Sequence, residues 1–245
     1  MTIASTEAPI IVRDEGAVRL ILLNRPHARN ALTRAMRQEF AQHLAQADAD
    51  AQISAVVLSG TGGCFSAGVD LKDRIAGAAP IKPNPAQALR SLNKPVIAAI
   101  DGYCITGALE MALSCDFAIA TPTAQFADTH CRVGLFPRWG GGHLLSSAIG
   151  VRRARQMMLA GQMINATTAL AWGLINEIQP QYELLPRACA LASAMAQQAA
   201  AQPLAYHAHK TMLDAIAAGA DPVASEAKML HHFDHNLALL KGERS

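Results

Sequence analysis

The sequence has few charged and few aromatic residues, and it lacks any long apolar run. Charged residues make up 16% of the 245 residues and aromatic residues 4%, whereas 51% are hydrophobic. A soluble domain usually has about 25% charged residues, and the apolar content here excludes intrinsic disorder. No apolar stretch nears the ~18 residues that span a bilayer. The chain is long enough for one large domain, and we expect its surplus apolar surface to be covered by another subunit.

An excess of positive charge, paired cysteines and a secretory signal are also missing. The formal net charge of +2 argues against nucleic acid as a partner, because phosphate binding needs a dense basic surface. The five cysteines include no Cys-x-x-Cys pair, so they predict neither a disulfide framework nor a zinc ribbon. Residues 1–9 have neither a basic start nor an apolar core. We therefore expect a cytoplasmic protein without a metal.

Strand and helix patterns alternate along the first half of the chain. Apolar runs that end in turn residues predict strands at residues 17–23, 53–58, 95–100 and 116–120. Thr33 is a candidate N-cap for a helix whose apolar residues are Met36, Phe40, Leu44 and Ala47. A second, apolar helix is expected at residues 107–114. This alternation predicts an α/β fold with largely parallel strands.

Helical patterns dominate the second half. The expected elements are helices at residues 151–160 and 167–172 and a short strand at residues 174–178. Residues 181–240 have helical patterns that are interrupted at Pro203 and at residues 219–222. We therefore divide the chain into a core at residues 1–185 and a helical region at residues 186–245.

Two predicted strands each run into a glycine-containing turn. One is followed by Phe-Ser-Ala-Gly-Val-Asp at residues 65–70, and the other reaches Gly107 at the start of a helix. Glycine permits close backbone approach, and the first amides of a helix are free to donate. Two such loops side by side can aim two N–H groups at one oxygen and stabilise an enolate. The alternative is a pair of ordinary strand–helix turns.

Three polar side chains are candidates for acid–base chemistry. Glu110 is the one charged residue between Gly102 and Cys115, and apolar surroundings would raise its pKa. A surface glutamate on an otherwise buried helix is the alternative. Asp128 and His130 place a carboxylate beside an imidazole, which is either a catalytic pair or a structural loop.

Three other patterns are weaker. Residues 64–68 are similar to a nucleophile elbow around Ser66, yet the first glycine of that motif is absent. Residues 140–142 are three glycines without the flanking residues of a phosphate loop. The C-terminal histidines fit polar helix faces better than a metal site, because other ligands do not accompany them: His207, His209, His231, His232 and His235.

Short motifs follow one another over roughly residues 10–180. They lie at residues 23–26, 30–32, 57–60, 65–71, 94–102, 107–110, 115–116, 134–141 and 169–175. In this order they resemble the enoyl-CoA hydratase/isomerase (crotonase) superfamily. The resemblance implies a crotonase-like spiral of ββα units followed by a helical C-terminal oligomerisation region that builds homotrimers and often hexamers. It also implies an acyl-CoA thioester substrate, with coenzyme A as part of the substrate and no separate cofactor.

The resemblance further implies the roles of individual residues. The backbone amides of Val69 and Gly107 would form an oxyanion hole, and Glu110 would be the first of two catalytic glutamates. The positions expected to bind substrate are Ala67, Asp70, Leu71 and Lys72. The implied reaction is the addition of water across the 2,3-double bond of an enoyl-CoA.

The sequence departs from the family pattern in four places. His130 stands at the position of the second glutamate, so His130 would be the partner acid or base and Asp128 would assist. Thr106-Gly107-Ala108 replaces a triple glycine, and Arg138-Trp139 replaces small residues beside the acyl pocket. The chain ends at Ser245, so we expect the final helix of many members to be missing.

Several functions remain open at this point. Hydration is the leading interpretation, whereas double-bond isomerisation needs only one base. A hydrolase or decarboxylase with the same oxyanion hole and a catalytically inactive acyl-CoA binder are further alternatives. The last is an unrelated serine hydrolase with Ser66 as the nucleophile.

Overall fold

The computed structural model describes residues 8–73 and 79–240. Its strands are β1 Ile10–Glu15, β2 Val18–Leu23, β3 Ala55–Gly60, β4 Val96–Ile100, β5 Tyr103–Ile105, β6 Phe117–Ala120, β7 Gln125–Ala127, β8 Ile164–Asn165 and β9 Glu177–Ile178. Its α-helices are α1 Arg34–Ala49, α2 Pro85–Arg90, α3 Gly107–Ala112, α4 Gly141–Ile149, α5 Val151–Ala160, α6 Ala166–Trp172, α7 Gln181–Ala201, α8 Pro203–Ala217 and α9 Pro222–Leu240. The predicted alternation of strands and helices is confirmed.

The strands form two sheets between which the chain passes back and forth. The larger sheet has the order β1-β2-β3-β4-β6-β9, in which only the β1–β2 pair is antiparallel. The smaller sheet has the order β5-β7-β8. The chain passes from β4 in the larger sheet to β5 in the smaller one, forms α3, and returns to the larger sheet as β6. This strand–strand–helix path confirms the expected α/β class with largely parallel pairing.

The core fills both faces of the larger sheet. Strands β3 and β4 are buried along almost their whole length, which explains their continuous apolar sequences. Helix α1 covers one face with the four predicted residues Met36, Phe40, Leu44 and Ala47. Its N-cap is Thr33, whose Oγ1 accepts a hydrogen bond from the Met36 amide at 3.1 Å. Both features of this helix were predicted correctly from the sequence.

Helix α7 covers the opposite face of the sheet. It contributes Leu184, Ala188, Ala192 and Ala196, which repeat every four residues and pack on β2, β3, β4 and β6. Because alanine is small, this face of α7 can lie close to the strands. The predicted division after residue 185 therefore falls inside a helix that packs on the sheet.

Helices α8 and α9 extend the chain beyond the sheet. They are separated at the predicted breaks, and they pack against each other. Helix α8 has no buried residue, and Leu213, Val223 and Leu230 on the two helices are well exposed. No helix in the described part of the chain is long and apolar enough to cross a membrane.

Candidate active site

Two loops meet at the glycines that the sequence singled out. The segment after β3 pairs with β5 through hydrogen bonds from Ser66 N to Tyr103 O (2.8 Å) and from Ile105 N to Ser66 O (3.1 Å). Gly68 has φ +88°, and a Cβ atom there would lie 2.7 Å from the Ile105 carbonyl oxygen and 3.2 Å from the Gly107 nitrogen. Glycine at position 68 is therefore what brings the two loops together.

The amides of Val69 and Gly107 share one cavity. Leu32 N donates to Gly68 O, and Asp70 N donates to Leu32 O, so the intervening Val69 N–H points away from Leu32. Gly107 is the first residue of α3, where an amide has no partner within the helix. Neither amide donates to an acceptor within residues 8–73 and 79–240, and both residues line the cavity. This arrangement can hold an oxygen that becomes negatively charged.

Glu110 lies one turn further along α3, and its side chain is buried with 2% exposure. Its Oε1 accepts hydrogen bonds from the amides of Trp139 (2.7 Å) and Gly141 (3.0 Å). Burial raises the pKa of Glu110 above its ordinary value, although these two hydrogen bonds and nearby His130 oppose that rise. Glu110 is thus a buried glutamate, and the alternative of a surface glutamate on a buried helix is wrong.

The two amides that hold Glu110 were not predicted from the sequence. A Cβ atom at Gly141 would lie 3.1 Å from Glu110 Oε1, so the carboxylate requires glycine at that position. The run of three glycines at residues 140–142 was the available signal. Without the flanking residues of a phosphate loop, that run pointed to no function.

His130 lies between two carboxylates. Its Nδ1 is 2.9 Å from Asp128 Oδ1, and its Nε2 is 3.8 Å from Glu110 Oε2. Because a carboxylate only accepts, Nδ1 is the donor to Asp128, and a neutral ring then presents Nε2 as an acceptor towards Glu110. The Asp128 oxygen also accepts the amide of His130 at 3.0 Å. Asp128 therefore fixes the position and the tautomer of the ring.

The cavity around these groups has a volume of about 830 Å³. Its described lining residues are Arg34, Arg37, Ala67, Val69, Leu71, Asp73, Ala79, Pro80, Ile81, Asn84, Pro85, Thr106, Gly107, Glu110, Thr129, His130, Val133, Leu135, Phe136, Arg138 and Trp139. The structure thus brings Val69, Gly107, Glu110 and His130 together in one cavity. Asp128 is not among the described lining residues, and it is connected to the cavity by its hydrogen bond with His130.

The four residues expected to bind substrate divide into two pairs. Ala67 and Leu71 line the cavity. Asp70 instead forms an ion pair with Arg25, with 3.1 Å between Oδ2 and Nη1. Lys72 is exposed and is not among the described lining residues. Of the four residues, only these two apolar ones thus lie among the described lining of the cavity.

Two lining residues replace smaller ones of the family pattern. Thr106 has φ +58°, which is strained for a β-branched residue, and its Oγ1 lies 2.6 Å from Thr129 Oγ1. The ring of Trp139 packs over Gly107. The contact is so close that a Cβ atom at Gly107 would lie 3.0 Å from Trp139 Cζ3. Both side chains narrow the cavity next to the two amides.

Ser66 has a structural environment. Its Oγ donates to the Asn30 carbonyl oxygen at 2.8 Å and accepts the Gly68 amide at 3.0 Å, and the side chain is fully buried. No imidazole contacts it within the described residues, so the nucleophile interpretation has no base to support it. In the same part of the chain no group of three His, Cys, Asp or Glu side chains is arranged to hold a metal ion. The side chains of His232 and His235 lie outside the described residues.

The chain is similar in sequence to a known protein family and to individual members of it. The sequence profile of the enoyl-CoA hydratase/isomerase family matches residues 13–244. The 2,3-dehydroadipyl-CoA hydratase of Escherichia coli (strain K12) is 36% identical, over 83% of this chain and 81% of its own. A probable peroxisomal enoyl-CoA hydratase of Arabidopsis thaliana is 35% identical, over 76% of this chain and 71% of its own.

A solved structure extends the similarity to three dimensions. The crystal structure of a probable enoyl-CoA hydratase/isomerase from Mycobacterium abscessus has a TM-score of 0.84 at 32% identity, and the match covers 95% of this chain and 91% of that one. The crotonase fold that the motifs predicted is therefore confirmed. On the sequence profile, the relatives and the fold together, the chain belongs to the enoyl-CoA hydratase/isomerase family.

Proposed function

We propose that the protein hydrates enoyl-CoA thioesters across the 2,3-double bond. One observation carries the proposal: Glu110 Oε2 and His130 Nε2 face each other across 3.8 Å in the cavity that also holds the Val69 and Gly107 amides. Hydration needs a held water molecule and a site for a developing enolate oxygen, and these four groups can supply both. The hydratase names of the relatives support the same reaction.

The backbone amides of Val69 and Gly107 bind and stabilise the enolate. The thioester oxygen accepts hydrogen bonds from Val69 N–H and Gly107 N–H, which polarise the conjugated double bond. When the water oxygen bonds to C3, the π electrons move onto the thioester oxygen, and the two amides stabilise the negative charge. The first turn of α3 adds the positive end of its peptide dipoles at Gly107.

Glu110 and His130 together carry out the proton transfers. A water molecule between Oε2 and Nε2 donates to both, loses one proton to the pair as it attacks C3, and leaves its other proton on the new hydroxyl. The pair then returns one proton to C2 of the enolate, so that the net change is the addition of one water. Asp128 stabilises the imidazolium whenever His130 carries the additional proton.

Isomerisation of the double bond is the second candidate, because His130 replaces a carboxylate and one base is sufficient for a proton shift. The two reactions differ in whether water is consumed. Crotonyl-CoA, whose double bond is already at C2, is hydrated by a hydratase, whereas an isomerase converts a 3-enoyl-CoA to the conjugated 2-enoyl-CoA. A catalytically inactive binder would take up both thioesters and convert neither.

The test compares turnover and binding in three variants. Glu110→Gln and His130→Ala should each lower kcat for crotonyl-CoA hydration by about 10²–10⁴-fold, the range of a lost acid–base group, while the Kd for a saturated acyl-CoA changes little. His207→Ala on the exposed face of α8 is the control and should match the unmodified protein. Full hydration by Glu110→Gln would refute the proposal, and rapid 3-enoyl-CoA conversion without hydration would favour the isomerase.

The remaining expectations are proposals of the same kind. We infer that no cofactor is needed beyond the coenzyme A of the substrate, since hydration involves no change of redox state. The exposed apolar residues of α8 and α9 support a homotrimer or hexamer built by the helical region at residues 186–245. The five cysteines are all free thiols, which supports a cytoplasmic location.

A further inference from the structure

Arg90 is a half-buried cation at the end of α2, outside the described lining of the cavity. Its Nη1 donates to the Trp139 carbonyl oxygen at 3.0 Å and to Ser114 Oγ at 2.7 Å. The first acceptor belongs to the loop before α4, and the second follows the end of α3. One nitrogen atom therefore joins two segments that are 25 residues apart in the sequence.

Each of the two residues that accept from Arg90 is also hydrogen-bonded to Glu110. Trp139 accepts from Arg90 through its carbonyl and donates through its amide to Glu110 Oε1 at 2.7 Å. Ser114 accepts from Arg90 and donates from its hydroxyl to the Glu110 carbonyl oxygen at 2.8 Å. The Arg90 guanidinium is thus linked to the Glu110 carboxylate through Trp139 and to the Glu110 backbone through Ser114.

The loop at residues 138–140 lies directly against Arg90. Gly140 has φ +108°, and a Cβ atom there would lie 3.4 Å from Arg90 Nη1. The loop is not part of a sheet, and Phe136 before it is strongly exposed. Arg90 is therefore well placed to fix the distance between the Trp139 amide and Glu110.

Charge adds to this geometry. Burial lowers the pKa of Arg90, while the carboxylates of Glu110 and Asp214 oppose that change, so the guanidinium faces one carboxylate from α3 and one from α8. Within the described residues, Glu110 interacts electrostatically with Arg90, His130 and Asp128. A cation at position 90 favours the carboxylate form of Glu110, because opposite charges attract within the protein interior.

We propose that Arg90 is a positioning residue for Glu110: it holds the loop whose amide binds the carboxylate, and through Ser114 it holds the backbone of the glutamate. The proposal rests on the catalytic role of Glu110 given above. Arg90 itself is not among the described residues that line the cavity. Its removal should alter the rate and the pH dependence of catalysis far more than the affinity for acyl-CoA.

The first test replaces Arg90 with methionine and with lysine. Arg90→Met should lower kcat by about 10–10²-fold, the range of a misplaced catalytic group, with KM within about threefold of the original. The acid limb of the kcat/KM profile should move to higher pH, because the lost charge no longer opposes protonation of Glu110. Arg90→Lys keeps the charge and should keep the position of the acid limb while losing part of the rate.

A second variant and a control complete the test. Ser114→Ala removes two hydrogen bonds, the one from Arg90 and the one to the Glu110 carbonyl oxygen, and leaves the charge. We therefore expect kcat to fall without movement of the acid limb, even if Arg90→Met folds poorly. Arg153→Met is the matched control, because Arg153 also donates to a tryptophan carbonyl, that of Trp172, at 3.4 Å, but on an exposed surface. An Arg90→Met protein with unchanged kcat and pH profile would overturn the proposal.

A direct titration separates this proposal from the proposed function. The pKa of the Glu110 carboxyl can be followed by NMR in protein with ¹³C-labelled glutamate, with Glu110→Gln used to assign the signal. Arg90→Met should raise that pKa whether or not the protein hydrates crotonyl-CoA. If the pKa does not move, the positioning role is wrong, even when Glu110→Gln shows that the glutamate is catalytic.

Discussion

Burial of the Glu110 carboxyl links the stability of the folded protein to pH. The folded state raises the pKa of Glu110 above its ordinary value of 4.5 because burial disfavours the charged form. The folded state therefore binds the proton of Glu110 more tightly than the unfolded state does. This contribution to stability is complete below about pH 4.5 and is lost as the pH rises through the folded-state pKa.

Replacing Glu110 by glutamine should therefore stabilise the protein at high pH. The side-chain carbonyl oxygen of the glutamine can still accept the amides of Trp139 and Gly141, and no buried charge remains. We expect the Tm of the Glu110→Gln protein to exceed that of the original at pH 8, and the difference to shrink towards pH 4.5. Thermal unfolding across this range measures it. Glu226→Gln, on the exposed surface of α9, is the control for the substitution itself. An equal Tm of the Glu110→Gln and original proteins at every pH would contradict the prediction.

A methyl group at Gly107 should block the oxyanion site. It would lie 3.3 Å from Val69 Cγ2 and 3.0 Å from the Trp139 ring, so one of these groups must move. We expect Gly107→Ala to lower kcat/KM for crotonyl-CoA by about 10²–10³-fold, the effect of losing one oxyanion donor. Gly142→Ala is the control, because its added methyl group meets no atom within 4 Å. Unaltered kinetics of Gly107→Ala would argue against the assigned hole.

At the level of single residues, the polar side chains of the cavity were predictable from the sequence. The backbone amides that line it or bind Glu110 were predictable only in part. Glu110 and His130 could be found because a charge in an apolar helix and an imidazole beside a carboxylate are visible in the sequence. The amides of Trp139 and Gly141 could not, since an amide donor belongs to almost every residue and only the folded loop aims it. Arg90 was missed for a related reason, because its two acceptors are distant in the sequence.

Among the elements, those with a clear pattern were predicted, whereas β1, α2, α4 and the three strands of the smaller sheet were not. Helices α1 and α5 and strands β2, β3 and β4 have enough residues for a clear periodic pattern. The three-residue strands β5 and β7 do not, and their pairing depends on the return of the chain to the smaller sheet. The predicted division after residue 185 puts most of helix α7 in the C-terminal region, yet the buried alanines of this helix pack on the sheet.

An enlarged residue on the inner face of α7 should therefore destabilise the protein. Ala192 is fully buried against the sheet, whereas Ala194 on the same helix is exposed. We expect Ala192→Leu to lower the free energy of unfolding by about 1–3 kcal/mol, the usual effect of overpacking a core. Ala194→Leu should change it by less than ~0.5 kcal/mol. Denaturant unfolding of both variants measures the contrast, and equal stabilities would show that α7 does not pack tightly.

The whole molecule presents a helical surface that we expect to be covered by other copies of the chain. Light scattering should give the mass of a trimer or a hexamer of the 25.9-kDa chain. Leu213→Glu combined with Leu230→Glu should produce monomers, since charges on both helices would be buried in the interface. Leu159→Glu, also exposed but on α5, should keep the assembly. A monomeric mass for the unmodified chain would refute the expectation.

The two hydrogen bonds to Glu110 Oε1 have a stereochemical consequence. Because that oxygen is occupied by two amides, only Oε2 is left to exchange a proton, and it faces His130 from a fixed side of the cavity. With the thioester oxygen bound by the other two amides, the flat enoyl group presents one face to the water. Hydration should thus create a single enantiomer at C3, and that handedness is set by backbone atoms.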